Sequence, residues 1–150
     1  MDIHNIALSN WAIDATAHPA EDAGLINDTF VVGDPRIAIL QRVNPIFGPD
    51  IHLDIEAITA HLSKSGLMTP RLVRTKNGAL CVPAEHGTWR LLTYIPGTTI
   101  HRITNLKQAA TAGRLVGEFH RATASLEHTF HFTRPGAHDT VLHMTTLRDA

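Results

Sequence analysis

The chain has 150 residues, the length of one ordinary domain, and its hydrophobic fraction of 43% is sufficient for a packed core. Its net charge of −1 argues against a nucleic-acid-binding surface, which needs an excess of basic residues. The single cysteine, Cys81, excludes an intramolecular disulfide. No secretory signal pattern opens the sequence, and no run approaches the roughly 18 apolar residues of a membrane span. These properties predict a soluble cytoplasmic protein.

Two strands and a helix are predicted first along the chain. Residues 27–32 and 36–43 are rich in β-branched and apolar side chains and flank the turn at 33–35, which is typical of a hairpin. Asp50 is a plausible N-cap, and Gly66 lies where a glycine ends a helix. Between them, apolar residues recur at helical spacing on one face: Ile51, Ile55, Ile58 and Leu62. The pattern therefore predicts one helix after the hairpin.

Three further strands are expected before a break in the chain. Residues 71–75 and 79–82 flank Asn77-Gly78, and Asn-Gly is the strongest short hairpin signal. Residues 88–95 form a long apolar stretch that ends at Pro96-Gly97.

A long helix follows the break, over residues 105–126. Asn105 can cap it, and Gln108 lies three residues further on, as in a capping box. The helix carries two apolar stripes, which indicates burial from two sides, but only the short segment after Leu126 remains to cover it. We therefore expect a missing continuation of the chain, or a partner, to cover this helix. The whole order predicts an α+β fold.

Three stretches in this order resemble a known family: GLINDTF (24–30), ILQRVN (39–44) and TWRLLTYIPGTT (88–99). They are similar to the aminoglycoside phosphotransferase and choline kinase superfamily, which has a protein-kinase-like fold, and most of all to its N-acetylhexosamine 1-kinase branch. The resemblance implies that residues 1–95 form a kinase-like N-lobe, an antiparallel five-stranded sheet plus one helix. Residues 96–150 would be the hinge and the start of an incomplete helical C-lobe.

The resemblance implies that the corner before the first hairpin covers the phosphates of ATP with backbone N–H groups. Gly24 would permit close approach, and Asn27, Asp28 and Thr29 would supply polar caps and turn bonds. The corner departs from the family pattern because it has one glycine and no G-x-G-x-x-G. The alternative is an ordinary β-turn whose Asn and Asp bond their own backbone.

Arg42 is the implied strand cation that pairs the nucleotide phosphates, and Glu56 on the helix is its implied partner. Strand alternation places Arg42 on one face with Ala38 and Leu40, whereas Gln41 lies on the other face and is the weaker candidate. Asp54 is the alternative acid. Both charges could also be ordinary solvated side chains.

Thr93, Tyr94 and Ile95 would form the hinge that holds adenine, since an extended segment offers an apolar slot and free backbone groups. A plain core strand is the alternative. The aspartates that the family uses as base and Mg²⁺ ligand have no matching pattern in this sequence, so we expect the Mg²⁺ ligands in the missing C-terminal part.

The eleven histidines show no zinc-site spacing, although His128 and His131 lie three apart and close to His138 and His143. Scattered surface histidines are favoured over the alternative of a zinc cluster at these positions, since no cysteine accompanies them, and no metal ligand is assigned. The hypothesis is the N-terminal portion of an ATP-dependent small-molecule kinase, with a sugar or amino-sugar-like substrate and no nucleic-acid or membrane partner. The alternative is a non-catalytic module that binds nucleotide or docks on a partner through residues 105–126.

Overall fold

The computed structural model describes residues 2–21, 24–134 and 136–149. Strands occupy the first part of the described chain after a short helix, and helices occupy the second. In order, the elements are α1 (Ile3–Leu8), β1 (Ala17–Pro19), β2 (Asp28–Val32), β3 (Ala38–Val43), α2 (Ile51–Lys64), β4 (Leu72–Val73), β5 (Val82–Ala84), β6 (Gly87–Thr93), α3 (Leu106–Thr123) and α4 (Thr140–Arg148).

The strands form one antiparallel sheet in the order β1-β2-β3-β6-β4, and β5 also pairs with β6. The predicted α+β class is confirmed, but the sheet has six strands and not five. The added strand is β1, whose three residues carry too little alternation to be recognised in the sequence. It pairs with β2 across the corner that was expected to cover phosphate.

The hairpin predicted over residues 71–75 and 79–82 is wrong in its pairing. The turn at Asn77-Gly78 does form, because the Thr75 amide donates to the Ala79 carbonyl at 2.9 Å. The two flanking strands, however, both pair with β6 and not with each other. The seven residues of β6 provide more backbone groups for pairing than the two residues of β4. Pairing with β6 therefore outweighs the local turn signal.

Both long helices begin where the sequence indicates. The Asn105 side chain caps α3 by accepting from the Gln108 amide at 2.9 Å, and the Gln108 side chain bonds back to Thr104. Asp50 stands at the N-cap of α2, but its side chain makes no capping bond. No helix within the described residues combines the length and apolar character needed to cross a membrane.

The main core lies on one face of the sheet and is closed by the N-terminal segment. Trp11, which follows α1, is 1% exposed, and its indole N–H donates to the Val73 carbonyl at 2.7 Å. Buried residues of this cluster come from α1, the sheet and Trp11: Ala7, Leu8, Trp11, Ala17, Val32, Ala38, Leu40, Trp89 and Leu91. We call this side of the sheet the core face.

The helix α2 lies on the other side of the sheet, which we call the α2 face. None of its residues belongs to the core-face cluster, and its His52 is close enough to Arg90 of β6 for their charges to interact. Residues paired across antiparallel strands share a face. The strand register therefore decides which side chains meet α2.

Candidate functional site

The predicted phosphate-covering corner lies between β1 and β2, at the edge of the sheet. Asn27 fastens it to the end of β3, because its side-chain oxygen accepts from the Asn44 amide at 3.0 Å. At Gly24 a Cβ atom would meet no heavy atom within 4 Å, so the space above this position is open. Residues 22 and 23 of the corner lie outside the described residues.

The expected ion pair between Arg42 and Glu56 does not form. Arg42 lies in register with Asp28 on β2 and Trp89 on β6. Its guanidinium donates through Nε to Asp28 Oδ2 at 2.8 Å, with Nη2 at 2.6 Å, and its Cζ lies 5.8 Å from the Trp89 ring centroid. Glu56 instead pairs with Arg74 at 3.2 Å. The expected alternation was correct, but Arg42 shares its face with the core and α2 packs on the opposite side.

A row of polar side chains crosses the α2 face where Arg42 was expected to point. Thr29, Gln41 and Arg90 are neighbours in the strand register. The Gln41 amide oxygen accepts from Arg90 Nε at 3.0 Å and Nη2 at 2.8 Å, while its NH₂ donates to Thr29 Oγ1 at 3.1 Å. Gln41, the weaker candidate in the sequence, is therefore the polar β3 residue of this row on the α2 face.

Arg90 is the site residue that sequence reasoning missed. Burial lowers the pKa of its guanidinium, which nonetheless stays charged because an arginine is not deprotonated in proteins. The available signal was an arginine in the middle of the apolar stretch TWRLL. A charge partly removed from water is costly unless it is paired, and the only side-chain partner of Arg90 among the described residues, Gln41, is neutral.

An apolar row lies beside the polar one on the α2 face. Val31, Ile39 and Leu92 are neighbours in the register, and all three are only partly buried. Beyond Leu92, β6 ends at Thr93, whose amide and hydroxyl both bond Arg71. The α2 face thus presents an apolar surface beside the positive charge of Arg90.

The predicted hinge residues differ in how far their backbone groups are free. The Thr93 N–H group donates to the Arg71 carbonyl, so it is not available to a ligand. Among the described residues, Tyr94 and Ile95 make no backbone–backbone hydrogen bond, and both side chains are partly buried. The hinge prediction for Tyr94 and Ile95 remains a prediction.

Two buried polar atoms of α2 lack hydrogen-bond partners among the described residues. They are His52 Nε2 and Glu56 Oε2, one helical turn apart. His52 is 1% exposed, and its Nδ1 lies 2.7 Å from the Pro49 carbonyl oxygen, which makes Nδ1 the protonated nitrogen. Thr88 Oγ1 on β6 is a third such atom. Buried polar groups are normally satisfied, so these atoms mark the α2 face as a place that accepts polar contacts.

His52→Asn is expected to reduce the pH dependence of stability. Burial lowers the pKa of His52 below 6.5, the bond to Pro49 opposes this, and the charge of Arg90 adds to the lowering. The His52 imidazole therefore binds a proton near pH 6.5 in the unfolded chain, but only at a lower pH in the folded chain. The free energy of unfolding should fall as the pH drops below about 6.5 and level off below the folded-state pKa.

Urea unfolding at pH values between about 5 and 7.5 measures this slope. The asparagine keeps a donor for the Pro49 carbonyl but does not titrate, so its slope should be shallower. His138→Gln, at an exposed position, is the matched control and should keep the full slope. An unchanged slope in His52→Asn would contradict the assignment of a buried, neutral His52.

The comparison with protein families identifies one match that covers most of the chain. The model of the phosphotransferase enzyme family matches residues 19–148, from the end of β1 to the last residue of α4. No curated protein matches the chain. The match includes strands β2 to β6, α2 and residues 93–95, which are the parts that carry the polar row, the apolar row and the predicted hinge. The chain therefore belongs to the phosphotransferase enzyme family.

Proposed function

We propose that this chain is the nucleotide-binding portion of an ATP-dependent small-molecule kinase that phosphorylates a hydroxyl group of a sugar or amino sugar. Family membership supports phosphoryl transfer in general. The observation that carries the nucleotide site is the juxtaposition, on the α2 face, of the apolar row Val31, Ile39 and Leu92 with the partly buried cation Arg90. The sugar acceptor rests on the resemblance of the three sequence stretches alone.

Each part of this face suits one part of ATP. The apolar row can pack against adenine, and the backbone of Tyr94 and Ile95, which makes no backbone–backbone hydrogen bond among the described residues, can bond its edge. Arg90 offers a guanidinium to phosphate oxygens, which are the anions that it binds most favourably. Phosphoryl transfer depends mainly on positioning and charge neutralisation, so a fixed, partly desolvated cation is the useful device here.

Mg²⁺ would enter with ATP and neutralise phosphate charge. Glu56 is a carboxylate of α2 with a buried oxygen that lacks a partner among the described residues, and its other oxygen pairs with Arg74. One carboxylate can orient a cationic side chain, but it is not enough by itself to form a complete Mg²⁺ site. We therefore assign nucleotide binding to this chain and expect the catalytic base and Mg²⁺ ligands outside these residues.

Binding of ATP to the purified chain tests the proposal. Arg90→Gln should weaken ATP at least about tenfold, the loss of one charge-assisted contact, and should leave adenosine affinity nearly unchanged. Arg42→Gln, on the core face, is the matched control and should change ATP affinity less than about threefold. Isothermal titration with ATP and with adenosine measures both, after circular dichroism has shown that each variant is folded.

Two outcomes would overturn parts of this assignment. If Arg42→Gln loses ATP while Arg90→Gln keeps it, the phosphate cation is the one that the family resemblance implies. If the folded chain binds neither ATP nor adenosine at millimolar concentration, the nucleotide site itself is wrong. The acceptor is tested separately, on a version of the protein extended to include the catalytic base, by ATP consumption with N-acetylhexosamines against choline and an aminoglycoside.

A second candidate, a module that docks on a partner, is favoured by the surface of α3. No residue between Leu106 and Thr123 is buried, and Leu115, Val116 and Phe119 are between 44% and 58% exposed. Such a contiguous apolar surface is typical of an interface. A light-scattering mass that stays monomeric at high concentration, with no binding of a hydrophobic dye, would count against an apolar docking surface.

A further inference from the structure

A cluster of one carboxylate and two imidazoles joins α2 to residues 128–132, which we call the segment after α3. Asp54 is 5% exposed, and its Oδ1 lies 2.8 Å from His128 Nε2 and 3.1 Å from His131 Nδ1. The same oxygen accepts from the His131 amide at 2.9 Å, and Oδ2 accepts from the Phe132 amide at 2.9 Å. Sequence reasoning missed this cluster because Asp54 lies 74 positions before His128.

The two carboxylate oxygens of Asp54 differ in the number of nitrogen atoms that contact them. A carboxylate oxygen has about two lone pairs, yet three nitrogen atoms crowd Oδ1 while Oδ2 has one donor. The two backbone amides suffice to hold the carboxylate in place. Burial by itself raises the pKa of Asp54, but the bonds from His131, His128 and Phe132 together hold the pKa below its usual range. Two imidazole nitrogens thus converge on Asp54 Oδ1, and each can bind a metal ion once it carries no proton.

We propose that Asp54, His128 and His131 form a binding site for one divalent transition-metal ion of the zinc class. The three ligand atoms lie within 4.8 Å of one another. Ligands in a zinc tetrahedron are separated by about 3.3–3.6 Å. The contacts from Asp54 Oδ1 to the two imidazoles, at 2.8 Å and 3.1 Å, are shorter than this, so the imidazoles would move outward from the carboxylate to seat the ion. Two imidazoles and a carboxylate are a donor set that suits Zn²⁺, Co²⁺ and Ni²⁺.

The surroundings of the cluster meet two further requirements of a metal site. The amides of His131 and Phe132 fix the carboxylate from the protein side, as outer-shell hydrogen bonds do at such sites. The His128 side chain is 14% exposed and that of His131 is 48% exposed, so an ion can enter from the His131 side. Three protein ligands leave the fourth position to water. The bound ion would hold α2, with Glu56 one half-turn further on, against the segment after α3.

Metal titration of the full, tag-free chain tests the site. After dialysis against a chelator, isothermal titration with Zn²⁺ should show one ion per chain at micromolar affinity, and Co²⁺ should give visible tetrahedral absorption. His128→Gln and His131→Gln should each weaken Zn²⁺ at least about tenfold. His138→Gln, in the same C-terminal region but exposed, is the matched control and should bind like the original chain.

The thermal midpoint provides a second readout that does not depend on ligand counting. Zn²⁺ should raise the midpoint of the original chain and of His138→Gln but not that of His128→Gln, because an ion that binds only the folded state stabilises it. The histidine variants are preferred to Asp54 variants, which would also leave the amides of His131 and Phe132 without their acceptor. No binding at about 100 µM Zn²⁺, or unchanged binding in both ligand variants, would show a hydrogen-bonded cluster only.

Discussion

Trp11→Ala is expected to lower the free energy of unfolding by about 3–5 kcal/mol, the usual cost of truncating a large buried aromatic residue. Trp11 is 1% exposed and covers the core face of the sheet together with α1. The substitution also removes the indole donor to the Val73 carbonyl, which β4 places at the sheet edge. Because a domain of this size has a total stability of about 5–15 kcal/mol, such a loss is a large fraction of it.

Urea unfolding followed by far-UV circular dichroism measures this effect, since the substitution removes one of the two tryptophan fluorophores. Trp11→Phe separates the two causes: it keeps most of the packing but leaves the Val73 carbonyl without its donor, at a cost of about 1–3 kcal/mol. Ile3→Ala, on the exposed side of α1, is the control and should cost less than about 1 kcal/mol. A Trp11→Ala chain as stable as the Ile3→Ala chain would mean that the N-terminal segment does not close the core.

The second large effect is expected for Gly87→Ala, at the turn between β5 and β6. Gly87 has a φ of 95°, in the region that favours glycine, and a Cβ atom there would overlap the Val43 carbonyl oxygen. That oxygen belongs to the backbone of β3 and cannot move without disturbing its pairing with β6. We expect a loss of about 2–6 kcal/mol, from backbone strain and overpacking together.

Gly78→Ala is the matched control for the clash. Gly78 also has a positive φ, 81°, but a Cβ atom there meets nothing within 4 Å. It should therefore cost only about 1–2 kcal/mol, the price of the left-handed conformation alone. Unfolding free energies of the two variants measure the difference, and equal losses would refute the close approach of Gly87 to β3.

Elements with a long, regular pattern were predictable from the sequence. The apolar spacing between Asp50 and Gly66 predicted α2, and the capping pair Asn105 and Gln108 predicted the start of α3. The first hairpin and its turn were also predicted, and β2 and β3 pair as expected. Such signals are local, because helical and strand periods are set by neighbouring residues along the chain.

Short elements were not predictable, although they matter to the core. The helix α1 has six residues and β1 has three, too few for either period to be evident. Trp11 gave no sign in the sequence that it would bury itself against residue 73. Its position is set by long-range packing, which a local pattern does not encode.

In the candidate site, too, the local pattern was predictable and the contacts between distant residues were not. Alternation along β3 correctly separated Arg42 from Gln41, but it could not say which of the two faces α2 would cover. Arg90 and Gln41 meet because β3 and β6 pair in one register, and Asp54 meets His128 because α2 packs beside the segment after α3.

The sequence by itself determined the period of each long element, the turns between them and the family to which the chain is similar, because these depend on residues close together along the chain. Only the tertiary structure decided which face of the sheet carries the cation beside α2, and which acid two distant histidines contact. Those outcomes follow from sheet register and helix placement, where the free energy comes from burying surfaces that meet only after the chain has folded.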